Sequence, residues 1–382
     1  MRISLVSTAL VASLVGYGST IALVLSAAAA VGATPDQTAS WVFAICIAKA
    51  VGSAALSLRF RVPVVLAWST PGAALIAATS GVTMAEAVGA FLLSAALVVL
   101  SGLLRPLGRI VAAIPDGIAA GMLAGVLLPF CLRLGPATAA LPALVLPMLA
   151  VYLLVRLRLP GMAVLSALAV GIALAFVTGT ATAPALTLPW PAPVFVAPAF
   201  RTEVLIGLGL PLYLVTMASQ NLPGFATLRA HGYEPPVRQA LVVTGGLSGA
   251  AALAGAHPIS MAAITAALCM GPDTHPDPGE RWRAGVAYGV IWTCLGLFGP
   301  MILTILAALP PGLVTAIVGL ALLGPLTGAA TAAFAHPAQK FPAAVTLIVT
   351  ASGVVVFGIG AAFWGLLAGL AVWGLDRLNQ KP

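Results

Sequence analysis

Apolar residues run along this chain in long blocks, broken by short groups of charged residues, prolines and glycines. Blocks of about 20 mainly apolar residues are what a helix needs to cross a bilayer. Reading from break to break predicts spans at 6–31, 38–58, 63–80, 84–104, 111–132, 138–155 and 160–178. A Pro-rich stretch, ATAPALTLPWPAPVFVAPAF (181–200), follows, and then spans at 203–228, 238–254, 257–270, 284–308, 312–334, 341–357 and 359–375. The expected fold is therefore an all-α polytopic membrane protein with fourteen transmembrane segments.

Composition agrees: 61% of the 382 residues are hydrophobic, 7% are charged, and the mean hydropathy is +1.12. A soluble domain has no use for that much apolar surface. The net charge of +8 comes from basic residues scattered singly and in pairs, the pattern of loop anchors and not of a nucleic-acid face. Placing the N-terminus in the cytoplasm puts Arg2, Arg59, Arg61, Arg105, Arg109, Arg156, Arg158, Arg229, Arg238, Arg281, Arg283, Lys340, Arg377 and Lys381 inside. Arg133 and Arg201 fall outside and Lys49 lies within a span. This bias supports the count and a bacterial-type inner-membrane location with both termini cytoplasmic. The opening stretch has some signal-peptide character, but Leu5–Val31 is long enough to span and is expected to stay as the first helix. Cys46, Cys131, Cys269 and Cys294 show no paired spacing and read as inert core thiols.

Seven spans before the linker (179–202) and seven after it make the second half (203–382) run inverted relative to the first (1–178), as in inverted-repeat secondary transporters. Two pairs of matching oddities support this. LAWSTPGAALIAATSG (66–81) in the third span and LAGAHPISMAAITAALCMG (253–271) in the tenth each have polar residues, a proline and a short run of small residues. A helix from Pro71 to Ser80 or from Pro258 to Met270 covers only roughly 15 to 20 Å at 1.5 Å per residue. Both segments are expected to be half-helices whose remaining backbone is buried or lines a cavity. IPDGIAAGMLAGVLL (114–128) and LPPGLVTAIVGLALL (309–323) form the second pair, in the fifth and twelfth spans.

Half-helices that begin at mid-membrane point free N–H groups and positive dipole ends inward, which suits an anion. Ser69 and Thr70 before Pro71, and His257 before Pro258, stand where N-terminal side chains would be. Gly16, Gly18, Gly72 and Ala73 allow close approach, Tyr17 adds a ring with a hydroxyl, and Ser219, Gln220 and Asn221 of MASQNLPGF (217–225) add neutral donors and acceptors. A small organic anion with a planar or apolar body fits such a pocket, and the lack of an acidic residue argues against a cation.

LAWSTPGAALIA, YLVTMASQNLPGFATLRAHGY and GAHPISMAAITAALCMGPDTHPD resemble the corresponding stretches of the benzoate:proton symporter family (BenE), over most of the chain. That family is similar in turn to the UraA nucleobase transporters, sulfate permeases and anion exchangers. The resemblance implies a core domain of segments 1–4 and 8–11, a gate domain of segments 5–7 and 12–14, and a substrate between segments 3 and 10 beside 1 and 8. Tyr17, Ser69, Thr70, Gly72, Ser219, Gln220, Asn221, His257, Ile259 and Ser260 are then the expected substrate-binding residues. Where the nucleobase branch places glutamates on the eighth and tenth segments, this chain has Gln220 or its neighbours and the His257–Ser260 stretch. Coupling then falls to His257 or to the substrate's own carboxyl group. The expected function is proton-coupled import of benzoate or a related aromatic carboxylate, with no cofactor and no metal, lipid as the surroundings, and a homodimer compatible with the class.

Blander readings stand beside these. His257 reads equally as a buried histidine bonded to a carbonyl, and Gln220 and Asn221 as hydrogen-bonding glue between helices. Lys49 has no acidic partner in a neighbouring span and either faces a wet cavity or is held neutral. DTHPDPGERWR (273–283) reads as a solvated turn and Asp116 as a helix-start residue. An inorganic anion or nucleobase carrier of the same fold is the alternative function, and an anion channel comes next. The absence of HExxH, GxSxG and GxxxxGK[ST] motifs argues against an intramembrane enzyme or an ATP-driven pump.

Overall fold

The computed structural model describes residues 3–104, 106, 113–182, 190–262 and 264–379. Arg2, Arg105, Arg109 and Lys381, the start of the fifth predicted span and the middle of the Pro-rich linker lie outside the described residues. The chain is mostly helical: α1 (Ile3–Ala30), α2 (Pro35–Phe60), α3 (Thr70–Ala77), α4 (Met84–Leu103), α5 (Asp116–Leu132), α6 (Leu134–Ala140), α7 (Pro142–Arg156) and α8 (Ala163–Val177) make up the first half. The second half has the long helix α9 (Thr202–Ala230). It continues with α10 (Val237–Ala252), α11 (Ile264–Leu268), α12 (Trp282–Leu297), α13 (Gly299–Ala307), α14 (Pro311–Ala333), α15 (Lys340–Ala351) and α16 (Ala361–Asn379). Two short strands, β1 (Leu66–Trp68) and β2 (Ile259–Met261), precede α3 and α11.

Among the described residues, eight helices are long and apolar enough to cross a membrane, or nine if α12 and α13, bent by 54°, form one span. Each of the fourteen predicted stretches coincides with an element, but α7, α10, α15 and the third and tenth segments fall short of that length. The bend has a plain cause: Pro300 enters α13 without an N–H, and its ring crowds the carbonyl four residues back. In α9, by contrast, Pro223 does not break the helix. A π-turn at Met217–Asn221 precedes it, with Leu222 N–H reaching Met217 O, and such a widened turn accommodates the missing donor.

The tenth segment departs from expectation. No helix starts at Pro258; the residues after it form β2, and α11 covers Ile264–Leu268. The reason is that the N–H groups of Ile259 and Met261 are bound by side chains of other helices, as described below, which holds this backbone extended. The third segment does start where predicted, with Ser69 as N-cap and Pro71 in the first turn of α3. The cysteine reading also needs correction: Cys46 and Cys269 are buried, Cys131 is partly buried, and Cys294 is exposed. Asp116 is the first residue of α5. The residues before α5 and α14, Pro115 and Pro310, share nearly the same backbone angles, φ −56° with ψ 129° and φ −56° with ψ 137°.

Packing falls into two groups. In one, α2 lies against α12 and α10, α4 against α10, and α1 against α3 and α12; in the other, α5 carries α14 and α15, α15 packs on α16, and α7 on α8. The α2–α12 seam is close. A Cβ at Gly289 would lie 2.7 Å from Ala50 O and 3.1 Å from Ala54 Cβ, and one at Gly296 would lie 3.0 Å from Cys46 Cβ. Gly285 and Gly289 make a small-xxx-small pair facing α2, the device by which helices approach in lipid. We predict that Gly289→Val separates this seam and costs about 1–3 kcal/mol, read as a lower unfolding midpoint in detergent.

Candidate functional site

Strands β1 and β2 pair antiparallel with Leu66 opposite Met261, Ala67 opposite Ser260 and Trp68 opposite Ile259. The ladder extends by Ser69 N–H to Pro258 O and Ala262 N–H to Val65 O, each at 3.0 Å. The outward groups of both strands are met by side chains. Leu66 N–H donates to Ser53 Oγ at 3.0 Å, and Leu66 O accepts from Tyr288 OH at 2.9 Å. Ile259 N–H donates to Ser248 Oγ at 3.0 Å, and Met261 N–H to Asn221 Oδ1 at 2.9 Å. Away from water each such group must be paired.

The start of α3 lies on α9. Ser69 Oγ accepts from Gly72 N–H at 3.2 Å and shares a 2.8 Å hydrogen bond with Thr216 Oγ1. A Cβ at Gly72 would come within 2.6 Å of Leu212 Cδ1, so glycine is what lets α3 approach α9. Thr70 is half-buried at the first position of the helix.

Beside the ladder is a cluster of rings. Tyr17 stands 5.7 Å from both Trp68 and Trp292, and the two indoles meet edge-on at 5.1 Å. Lys49 Nζ lies 2.9 Å from the ring centroid of Trp292, 4.3 Å from that of Trp68 and 5.9 Å from that of Tyr288. Trp68 Nε1 donates to Thr20 Oγ1 at 2.7 Å. The Tyr17 hydroxyl, Trp292 Nε1, Ser260 Oγ and His257 Nε2 are buried without a hydrogen-bond partner.

Residues 1–375 match the family described as benzoate membrane transport protein (BenE). The chain belongs to that family. It is 39% identical over 359 residues to inner membrane protein YdcO of Escherichia coli K12, covering 94% of this chain and 92% of that one. It is 36% identical over 363 residues to the benzoate membrane transport protein of Acinetobacter baylyi, covering 95% and 92%. In fold it is similar to the transmembrane domain of a cyanobacterial bicarbonate transporter, BicA, with TM-score 0.64, 14% identity and coverage of 97% and 98%. It is similar also to murine Solute Carrier 26 family member A9, an anion transporter in its inward-facing state, with TM-score 0.67, 13% identity and coverage of 100% and 69%. This BenE-family chain is thus a multi-pass membrane transporter.

Of the residues predicted for the site, Tyr17, Ser69, Gly72, Asn221, His257, Ile259 and Ser260 are buried around the ladder. Asn221 ties the π-turn to β2, the gluing role weighed for it. His257 is not at a helix start: its Nδ1 accepts from Trp41 Nε1–H at 2.9 Å, in place of the carbonyl contact considered above. Ser219 instead lines a cavity of about 650 Å³ with Asp116, Ala119, Ala226, Ala329 and His336. Gln220 is partly exposed. A second cavity, of about 320 Å³, is lined by Leu75, Thr79, Arg133, Glu203 and Thr350. Trp68, Trp292, Tyr288 and Thr216 were not foreseen. The available signal was a tryptophan in the middle of an apolar span, since membrane tryptophans ordinarily sit at the interfaces.

Two substitutions test this framework. Asn221→Leu leaves the Met261 N–H buried without an acceptor and is expected to destabilise by about 1–3 kcal/mol. Ser69→Ala removes the cap of α3 for about 0.5–2 kcal/mol. Both are read by thermal unfolding of the purified protein.

Proposed function

We propose that this BenE-family protein imports benzoate or a related aromatic carboxylate together with protons, by alternating access across a bacterial inner membrane. The observation that carries the reading is the ladder itself: two interrupted segments from opposite halves of the chain meet antiparallel, beside aromatic rings and polar atoms that lack partners. Rings offer a face to an aromatic body, and unpartnered donors offer a carboxylate its hydrogen bonds. The benzoate transport of the Acinetobacter relative supports the substrate class.

Fourteen crossings in two inverted halves, 1–178 and 203–382, are the arrangement we assign. The shared backbone entry to α5 and α14 supports it. The two packing groups support a core domain of segments 1–4 and 8–11 and a gate domain of segments 5–7 and 12–14. Both cavities are lined from the two domains so assigned: the smaller from α3 and α5, the larger from α9 and α14. That is where a rocking gate would open alternately. The loop arginines and lysines support cytoplasmic termini.

Tyr17, Ser69, Thr70, Gly72, Ser219, Gln220, Asn221, His257, Ile259 and Ser260 remain the residues assigned to binding or shaping the site. Trp41 gives its only indole N–H to His257 Nδ1, so the neutral ring carries its proton on Nε2 and can donate it to an anion. Charging His257 means breaking that bond, which makes it a donor in this arrangement and a poor proton carrier.

In proteoliposomes, uptake of labelled benzoate should rise with an inward proton gradient and collapse with a protonophore. Uptake indifferent to the protonophore removes proton coupling. Excess bicarbonate or uracil should not compete, and saturation with counterflow separates a carrier from a channel. His257→Ala and Gln220→Ala should each lower uptake at least about tenfold, the scale of one lost polar contact in a buried site, with the protein still folded. Unchanged uptake in both sinks the site assignment.

A further inference from the structure

We propose that Lys49 is the counter-charge of the transported carboxylate and the group that takes up the coupled proton, within the aromatic cage of Trp68, Tyr288 and Trp292. This rests on the transport reading above and deepens it.

Lys49 lies in the middle of α2 and is 1% exposed. All nine carboxylates of the chain are in loops or in the first or last turn of a helix. The ion pairs among the described residues join Arg201 to Glu86 and Glu203, and Arg283 to Glu280, so Lys49 has no anionic partner. Rings face its ammonium instead. They favour a cation, but they do not replace the hydration that a buried ammonium loses. A charge there is sustained when an anion arrives.

The surroundings fit a carboxylate attached to a flat ring. The Tyr17 hydroxyl and Trp292 Nε1–H, whose rings belong to the same cluster, are donors without acceptors. Trp68 and Trp292 present aromatic surface against which a second ring stacks. The rings are in mutual contact in this arrangement, so one of them has to swing aside to admit the anion.

The other titratable groups turned towards Lys49 are Cys46 on its own helix, Tyr17 from α1, Tyr288 from α12, and His257, which is bonded to Trp41. All are uncharged when carrying their ordinary protons, and His257 is kept neutral by Trp41. The charged residues of the helices packed on α2 sit near helix ends: Asp36 and Arg59 on α2, Arg238 on α10 and Arg283 on α12. Lys49 is therefore the group that can change charge when the anion enters. The step is simple: neutral amine, one proton and one carboxylate become an ammonium–carboxylate pair, a single N–H bond forms, and the loaded site gains no net charge. On release the proton leaves the amine as the carboxylate departs.

The test uses the purified full-length protein with benzoate as the probe, following affinity and proton uptake by calorimetry in buffers of different ionisation enthalpy. Wild type should take up about one proton per benzoate, and by linkage its Kd should weaken about tenfold per pH unit above neutrality. K49R should still bind but take up no proton, because arginine stays charged, and its Kd should lose the pH dependence. K49M should lose affinity at least about a hundredfold, the scale of a lost buried charge pair, with a retained gel-filtration profile showing that it folds. Wild-type binding without proton uptake overturns the proposal, whatever the variants do. Binding and proton uptake in K49M or K49R equal to wild type overturn the role of Lys49 alone. Failure of wild type to bind benzoate overturns the transport reading, and this proposal with it.

Discussion

The fold depends on how the protein satisfies backbone hydrogen bonds where its third and tenth segments stop being helical. A bilayer offers no water to a free N–H or carbonyl, so two interrupted segments are stable together in a way that neither is alone. Each strand supplies one edge of the ladder. The other edges are closed by Ser53 from α2, Ser248 from α10, Asn221 from α9 and Tyr288 from α12. Four helices are thereby fixed to six extended residues. The polar residues that look out of place in the apolar spans are largely the acceptors and donors this junction requires.

Close helix packing then sets what surrounds the junction. With no hydrophobic drive between helices in lipid, approach depends on small residues, and Gly285, Gly289 and Gly296 bring α12 against α2. The same seam carries Tyr288 and Trp292 on one side and Lys49 on the other. The aromatic enclosure of Lys49 thus follows from backbone proximity, and the glycines and the rings form one arrangement.

Much of this was legible in the sequence, and for identifiable reasons. Long apolar blocks set the helices, because length and hydropathy are properties of a single segment. Pro71 after Ser69-Thr70 marked a helix start, because capping is local. Pro258 misled because the same residue types were read with the same local rule. There the outcome was decided by Ser248 and Asn221, 11 and 40 positions distant from the N–H groups they bind by their numbers in the chain. Pairing between β1 and β2 spans nearly two hundred residues and has no local signature. Lys49 stood out as a charge without a partner, but its enclosure by Trp68 and Trp292 is a fact of tertiary packing. Cys294 was misjudged because an apolar run in a membrane protein can face lipid as readily as the interior.

The π-turn at Met217–Asn221 has a consequence for how this segment can vary. Its extra residue rotates everything after it by about 100° relative to an uninterrupted helix, so that Asn221 meets β2 while Ser219, two positions earlier, borders a cavity. Loss of one residue between Met217 and Asn221 would restore regular winding and turn the amide away from the strand. Most surface loops tolerate changes in length. Here the spacing of residues is itself part of how α9 holds β2, and substitutions are admissible where insertions and deletions are not.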